Sequence, residues 1–261
     1  MSDYEQRFGG IARLYGRVGL ERLRHARITV VGIGGVGSWS AEALARSGVG
    51  ALTLIDLDDL CVTNINRQIH AVTPDLGALK VEAMARRIRA INPECVVQAI
   101  PEFFTGANAD QLLPRGLTCV LDAIDNVANK CLLIAHCRER GIPVVTTGGA
   151  GGRTDPTRLR VDDLARVTHD PLIRQARKTL RREHGFPKDP THDFGVACVF
   201  SDEPVRYPWS DGTVCETKET GGDNLRMDCN SGYGSATFLT GAFGFAAAAE
   251  VVKSIAGGKA G

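Results

Sequence analysis

No two of the eight cysteines form a C-x-x-C pair, and Cys61, Cys95, Cys119, Cys131, Cys137, Cys198, Cys215 and Cys229 follow no regular framework. A four-thiolate zinc site and a disulfide scaffold are therefore not expected, and a reducing cytoplasm is the simplest setting. Excess charge is absent too: 31 Lys and Arg stand against 30 Asp and Glu, a net charge of +1. Nothing draws the whole chain towards nucleic acid or an anionic membrane, so a polyanion site has to be local. The opening MSDYEQRFGG has acids but no apolar run, so no secretory or transit peptide is expected there.

What is present suits one α/β unit with a full core: 261 residues, 43% hydrophobic and 23% charged. Residues 231–249 carry no charge for 19 positions, the length of a membrane span. Gly, Ala, Ser and Thr dominate that stretch, with Phe238, Leu239, Phe243 and Phe245 as the large apolar groups. Its hydropathy is well below that of a Leu-rich span; small side chains predict a core helix lying close to its neighbours, at about 234–255, rather than a stable membrane insertion.

Apolar β-branched runs alternate with helical periodicity in the first half. The pattern predicts strands at 28–32, 51–57, 95–100, 118–123 and 142–147, and helices at 38–47, 76–91 and 127–140. Asn92 and Pro93 stop the second helix and Gly141 closes the third. Near-continuous apolar strands of this kind build a Rossmann-like, mostly parallel sheet with helices on both faces. From 148 the texture is less regular: a glycine-rich stretch, a basic helix, then short antiparallel strands around 194–200 and 205–209.

Gly32-Ile33-Gly34-Gly35-Val36-Gly37 satisfies G-x-G-x-x-G between a predicted strand and a predicted helix. Such glycines let phosphates approach backbone N–H groups at a helix N-terminus. Asp56, 19 residues beyond Gly37, ends the next strand where a carboxylate can accept from ribose hydroxyls. NAD, FAD and ATP all suit this geometry. Asp58, Asn66, Arg67, Gln68 and Lys80 then gather polar groups and two fixed cations beside the turn. Hydride transfer has no use for those cations, whereas nucleotidyl transfer needs phosphate charge neutralised. Asp122, Asp125 and Asn126 follow a later strand and place carboxylates where Mg2+ can bridge phosphates, Asp125 being the candidate ligand. Arg67, Lys80 and Asp125 are the candidate catalytic residues.

These strings, GIGGVGS at 32–38, DLDD at 56–59, NINRQ at 64–68, Lys80 and DAIDN at 122–126, resemble the adenylating fold of ubiquitin-activating-enzyme-like proteins, a superfamily that includes the sulfur-carrier activators. Within it the chain is most similar to the bacterial tRNA threonylcarbamoyladenosine dehydratases. That similarity is carried by RFGGIARLYG at 7–16, CVTNINRQIHA at 61–71, VTTGGAGGRTDPT at 145–157, YPWSDGTVC at 207–215 and MDCNSGYGSAT at 227–237. The resemblance implies one adenylating domain over 1–261: a nucleotide-binding half at 1–147, an insertion-like substrate region at 148–230, and a C-terminal helix within 231–261 that returns to the sheet.

It further implies ATP and Mg2+, with Gly34 and Gly35 against the phosphates and Asp56 on the ribose. Asn66, Arg67 and Lys80 would contact the triphosphate, and Asp125 would support magnesium. The expected reaction is ATP-dependent cyclisation of N6-threonylcarbamoyladenosine in tRNA with loss of water. The threonyl carboxylate, a poor electrophile, becomes an acyl-adenylate, and a carbamoyl atom then displaces AMP. A homodimer and contact with a cysteine desulfurase system are implied as well. Sulfur-carrier activators have paired C-x-x-C zinc ligands, which are absent here, so no zinc is expected. The Arg that in those activators reaches the partner subunit's ATP aligns with Gly10, leaving Arg7 and Arg13 as substitutes.

Three questions stay open at this level. A cysteine nucleophile is not needed for ring closure; Cys198 suits a core position, while Cys215 and Cys229 sit near Lys218 and Arg226, where a thiolate could be favoured. Seven cations between 166 and 188 (Arg166, Arg174, Arg177, Lys178, Arg181, Arg182 and Lys188) face only Asp170 and Glu183. This locally positive segment, with Asp170-Pro171 as helix cap and first turn, is the expected tRNA phosphate surface, extended by Arg153, Arg158 and Arg160. The alternatives are an NAD-linked oxidoreductase on the same turn and adenylation of the C-terminus of a ubiquitin-like sulfur carrier.

Overall fold

The structure is a computed structural model that describes residues 2–189, 191–219 and 233–257. Five strands of the first half form a parallel array: β1 (Arg27–Val31), β2 (Ala51–Ile55), β3 (Val96–Ile100), β4 (Cys119–Asp122) and β5 (Val144–Thr147). Two more strands complete the sheet, β6 (Leu159–Asp163) and β7 (Ala197–Ser201), in the order β3-β2-β1-β4-β5-β7-β6. Only β6 runs antiparallel. A separate two-stranded ribbon pairs β8 (Tyr207–Pro208) with β9 (Val214–Cys215).

The expected Rossmann-like α/β class is thus the observed one. Because β1 is flanked by β2 on one side and β4 on the other, strand order reverses at β1, and this switch point opens a crevice beyond the carboxyl ends of the strands.

The helices are α1 (Asp3–Arg24), α2 (Gly35–Arg46), α3 (Lys80–Ile91), α4 (Ala109–Leu112), α5 (Val127–Glu139), α6 (Pro171–Glu183) and α7 (Thr237–Ala256). The second predicted helix starts at Lys80, not 76. Pro74 sits in a 3-10 turn at Thr73–Asp75, Gly77 has φ +85°, and Leu79 bridges to Asp59 before regular helix begins. No element was assigned to the N-terminus from sequence. It forms α1, capped by a Ser2–Glu5 capping box, bent at Gly16 and anchored through Tyr4, whose hydroxyl donates to the Gly48 carbonyl at 2.6 Å. β6 was also unanticipated, its residues alternating too weakly to stand out.

Helix α7 lies on α2 with almost no gap between the backbones. A Cβ at Gly244 would stand 2.7 Å from both the Trp39 Cβ and the Val36 carbonyl, and Ser40 Oγ donates to the Gly244 carbonyl at 3.1 Å. The charge-free segment is therefore a packed helix: Leu239, Phe243, Ala247 and Val251 are fully buried, whereas Phe238 and Phe245 are exposed. By length and composition alone α7 could cross a membrane; the small residues facing α2 explain why it packs here instead.

Candidate active site

The crevice at the switch point is a cavity of about 1090 Å³. Its floor is the turn between β1 and α2, where the four fingerprint glycines do different jobs. Gly32 has φ +87°, and a Cβ there would lie 2.9 Å from the Ala123 carbonyl oxygen. A Cβ at Gly37 would overlap the Gly32 carbonyl at 1.7 Å, so Gly37 closes the turn and does not line the cavity. At Gly34 a Cβ would meet nothing within 4 Å. Gly34 is also the N-cap of α2 with no side-chain cap, so the first N–H groups of that helix stay available to an anion. Gly35 is held close to Thr240 of α7, 2.9 Å from its Cγ2 by the same measure.

Asp56 stands at the end of β2, its carboxylate accepting from the N–H groups of Ile33 at 2.6 Å and Asp58 at 2.9 Å. Burial raises its pKa above the ordinary aspartate value despite the nearby Lys80 and these hydrogen bonds. Lys80 is buried, and its Nζ meets Asp58 Oδ2 at 2.6 Å. Behind it His70 is buried with neither ring nitrogen partnered among the described residues; desolvation, then the Lys80 charge, lower its pKa to about 4. The loop at 64–68 is tied to the start of α7. Asn66 Nδ2 donates to the Ser235 carbonyl, Thr237 Oγ1 to the Asn66 carbonyl, and Thr240 Oγ1 and Trp39 Nε1 to the Arg67 carbonyl. The Arg67 guanidinium donates to the Thr63 carbonyl and Asn66 Oδ1. Gln68 is buried in the wall, its Oε1 lacking a partner among the described residues.

The three residues expected beyond β4 separate. Asp125 lies exposed on the cavity wall with no ion pair among the described residues, and Asn126 also lines it while capping α5 through the Asn129 N–H. Asp122 lies outside the cavity lining. Fully buried, it pairs with Lys130 Nζ at 2.7 Å, accepts from Thr146 Oγ1 at 2.6 Å, and accepts from the Ile124 N–H, which fixes the turn carrying Asp125. A strand-end residue facing the core meets the helix above it, whereas one three positions later is past the sheet edge. Single acids suffice for Mg2+, which takes one or two carboxylates and completes its shell with phosphate and water, so Asp125 fits. Among the described residues no three His, Cys, Asp or Glu side chains converge as a metal site.

The opposite wall was largely missed. Residues 147–151, Arg153, Asp170 and Tyr233 line it. Arg153, expected on a tRNA surface, is 4% exposed: its guanidinium pairs with Asp170 at 3.3 Å and donates to the carbonyls of Gly149 and His169. Asp170 caps α6 as expected, and also accepts from the Gly149 N–H. Gly148 is obligatory there, since a Cβ would fall 2.2 Å from Asp170 Oδ2. An Arg in a glycine-rich run, followed by an Asp-Pro cap, is the only sequence signal for this pair.

The basic segment is also more self-satisfied than its composition suggests. Arg166 pairs with Asp162 and Asp193, Arg182 with Glu183, and Arg177 donates to the carbonyls of Leu164 and Val167. Arg158 and Arg160 share Asp202. Arg174 and Lys178 stay exposed without an ion pair among the described residues. Cys198 is fully buried and burial pushes its thiol far up, which fits a core role; Cys215 is half-buried in β9, and Cys229 lies outside the described residues. Arg7 is held by Asp3, while Arg13 is exposed.

Fold and cavity together define a nucleotide-binding α/β protein whose crevice carries cations and an exposed acid beside the glycine turn. The chain belongs to the ThiF family, whose pattern matches residues 9–260. It is similar to the tRNA threonylcarbamoyladenosine dehydratase of Escherichia coli, 54% identical over 97% of this chain and 94% of that protein. The Haemophilus influenzae protein of the same name is 48% identical over 98% and 95%. A solved E. coli tRNA N6-threonylcarbamoyladenosine dehydratase in complex with ATP superposes with a TM-score of 0.86 at 49% identity, covering 97% of this chain and 96% of that one.

Proposed function

We propose that this protein is an ATP-dependent tRNA threonylcarbamoyladenosine dehydratase that cyclises the threonylcarbamoyl group through an acyl-adenylate. The observation that carries this reading is the convergence on one crevice of an open glycine at Gly34, the ribose-type carboxylate Asp56, the buried Lys80 and the unpaired Asp125. The near full-length similarity to proteins of that name, one of them solved with ATP, supports it.

ATP would lie with its ribose at Asp56 and its phosphates over Gly34 and the start of α2. Lys80, oriented by Asp58, is a buried cation whose attraction for pyrophosphate grows as that group leaves. Arg67 and Asn66 extend this cationic end, and Asp125 would hold Mg2+, which neutralises phosphate charge when bound. The threonyl carboxylate oxygen attacks the α-phosphorus and the bond to pyrophosphate breaks. A carbamoyl atom then attacks the activated carbonyl, AMP departs, and the ring closes with the net loss of water. Positioning and charge neutralisation supply the catalysis; no step calls on a cysteine.

Incubating modified tRNA with the protein, ATP and magnesium and analysing its nucleosides by mass spectrometry tests the reading. Loss of one water from threonylcarbamoyladenosine, dependent on ATP and sharply slowed in Lys80→Ala, is the expected result. An unchanged nucleoside mass, with ATP turned over only when a small carrier protein is added, would favour the second reading, adenylation of a sulfur carrier, which the shared ThiF family keeps in view.

The same proposal includes a cytoplasmic homodimer in contact with a cysteine desulfurase system. The exposed Leu14 and Val18 on α1 beside Arg13, and the exposed Phe238 and Phe245 on α7, support self-association. Light scattering that gives only a monomer mass would remove that part alone.

A further inference from the structure

A second, smaller pocket of about 230 Å³ adjoins the nucleotide cavity, and the two share Asp170, Pro171 and Val205 as a common wall. Its own lining includes His169 just before α6, Arg174 and Arg177 on α6, Tyr207 on β8 and Glu216 just after β9. Nothing in the adenylation chemistry uses them.

The pocket is built from fixed parts. His169 is the one non-glycine residue with a left-handed backbone among those described, φ 56°, and its carbonyl accepts from the buried Arg153 at 3.2 Å. Such a conformation persists only where surrounding structure holds it, and here the Arg153–Asp170 pair does so. Arg177 is spent on the carbonyls of Leu164 and Val167 and serves as wall. Arg174 is not: it is exposed and has no ion pair among the described residues. The Tyr207 ring is braced by Tyr233 with centroids 5.6 Å apart and by Lys218 at 5.7 Å. One free guanidinium, one braced aromatic ring and one carboxylate are the groups that recognise a nucleotide of single-stranded RNA: phosphate by arginine, base face by the ring, an exocyclic amine by Glu216.

We infer that this pocket binds the nucleotide adjacent to the reacting adenosine, with Arg174 on its phosphate and Tyr207 stacked on its base. The inference rests on the tRNA reading above and deepens it. The shared wall sets the two sites side by side, as neighbouring nucleotides splayed from one loop require. A base held there would fix how far the threonylcarbamoyl group reaches towards ATP.

Fluorescence anisotropy with a labelled stem-loop RNA carrying threonylcarbamoyladenosine tests this. Arg174→Ala and Tyr207→Ala should each weaken RNA binding about tenfold, leave ATP affinity unchanged, and keep the wild-type unfolding temperature; Tyr207→Phe should bind as wild type. An abasic nucleotide beside the target should weaken wild-type binding similarly and add little further loss in Tyr207→Ala. Binding within twofold of wild type in both alanine variants, or additive losses from the abasic site and Tyr207→Ala, would overturn the pocket. So would an equal loss in Arg182→Ala, which removes a cation of α6 that lies outside the pocket and is already paired with Glu183. A wild-type protein that binds ATP but no RNA would instead sink the tRNA reading itself.

Discussion

The two walls of the cavity are made differently. On the nucleotide side the turn at 32–37 is set by its own glycines and Asn126 caps α5 through Asn129 three residues on, while the loop at 64–68 is tied to the start of α7. In and behind the opposite wall, buried and half-buried acids gather backbone N–H groups across long loops. Glu203 accepts from the N–H groups of Thr154 and Asp155, Asp163 from Phe194, Gly195 and Val196, and Asp170 from Gly149. A phosphate needs a short, rigid backbone cradle, which a strand–turn–helix supplies. A large, irregular substrate needs long loops, and long loops carry polar backbone that must be satisfied from inside.

The contrast is broken most severely on the nucleotide side. Gly37→Ala drives a methyl into the Gly32 carbonyl, and the protein should fail to accumulate in folded form; Gly34→Ala, with open space at its Cβ, should unfold at the wild-type temperature yet lose ATP binding in calorimetry. On the opposite wall Arg153→Met leaves the Asp170 charge buried without its partner and should cost about 3–5 kcal/mol in denaturant unfolding.

His70 tests the ground beneath Lys80. Its pKa of about 4 lies below the ordinary 6.5, so between these values the unfolded chain binds the extra proton. Stability present above pH 6.5 should fall as pH drops through this window, by up to about 3 kcal/mol, and His70→Leu should flatten that slope. Lys80→Ala should lower kcat about a hundredfold with little change in unfolding temperature, separating chemistry from architecture. The smallest effect belongs to Arg182→Ala. That residue is paired with its neighbour Glu183 on the exposed face of α6, so neither unfolding temperature nor RNA affinity should change measurably.

Much of the nucleotide side was legible because its signals are local. The glycine spacing, Asp56 at a strand end and Lys80 at a helix start are each read within one element. Asp122 and Asp125 were not separable, since both are acids in one short string. Lys130 could have told them apart: a lysine amid VANKCLLIAHC lies among apolar helix residues and demands a buried counter-ion. Arg153 was misplaced for a related reason. Composition counts its charge, but only its approach to Asp170 says whether that charge faces water. The same limit made the 166–188 segment look more available to tRNA than its internal ion pairs allow.

The amino-acid order alone determined the alternation of strands and helices, the place of the phosphate turn and the chemistry it could serve, because hydrophobic period and glycine conformation act over a few residues. The tertiary structure decided which of two acids faces the cavity, which arginines are free, and that a second pocket stands beside the first. Those depend on burial and on partners brought together across the chain, where desolvation, not residue type, settles whether a charge is a structural strut or a binding group.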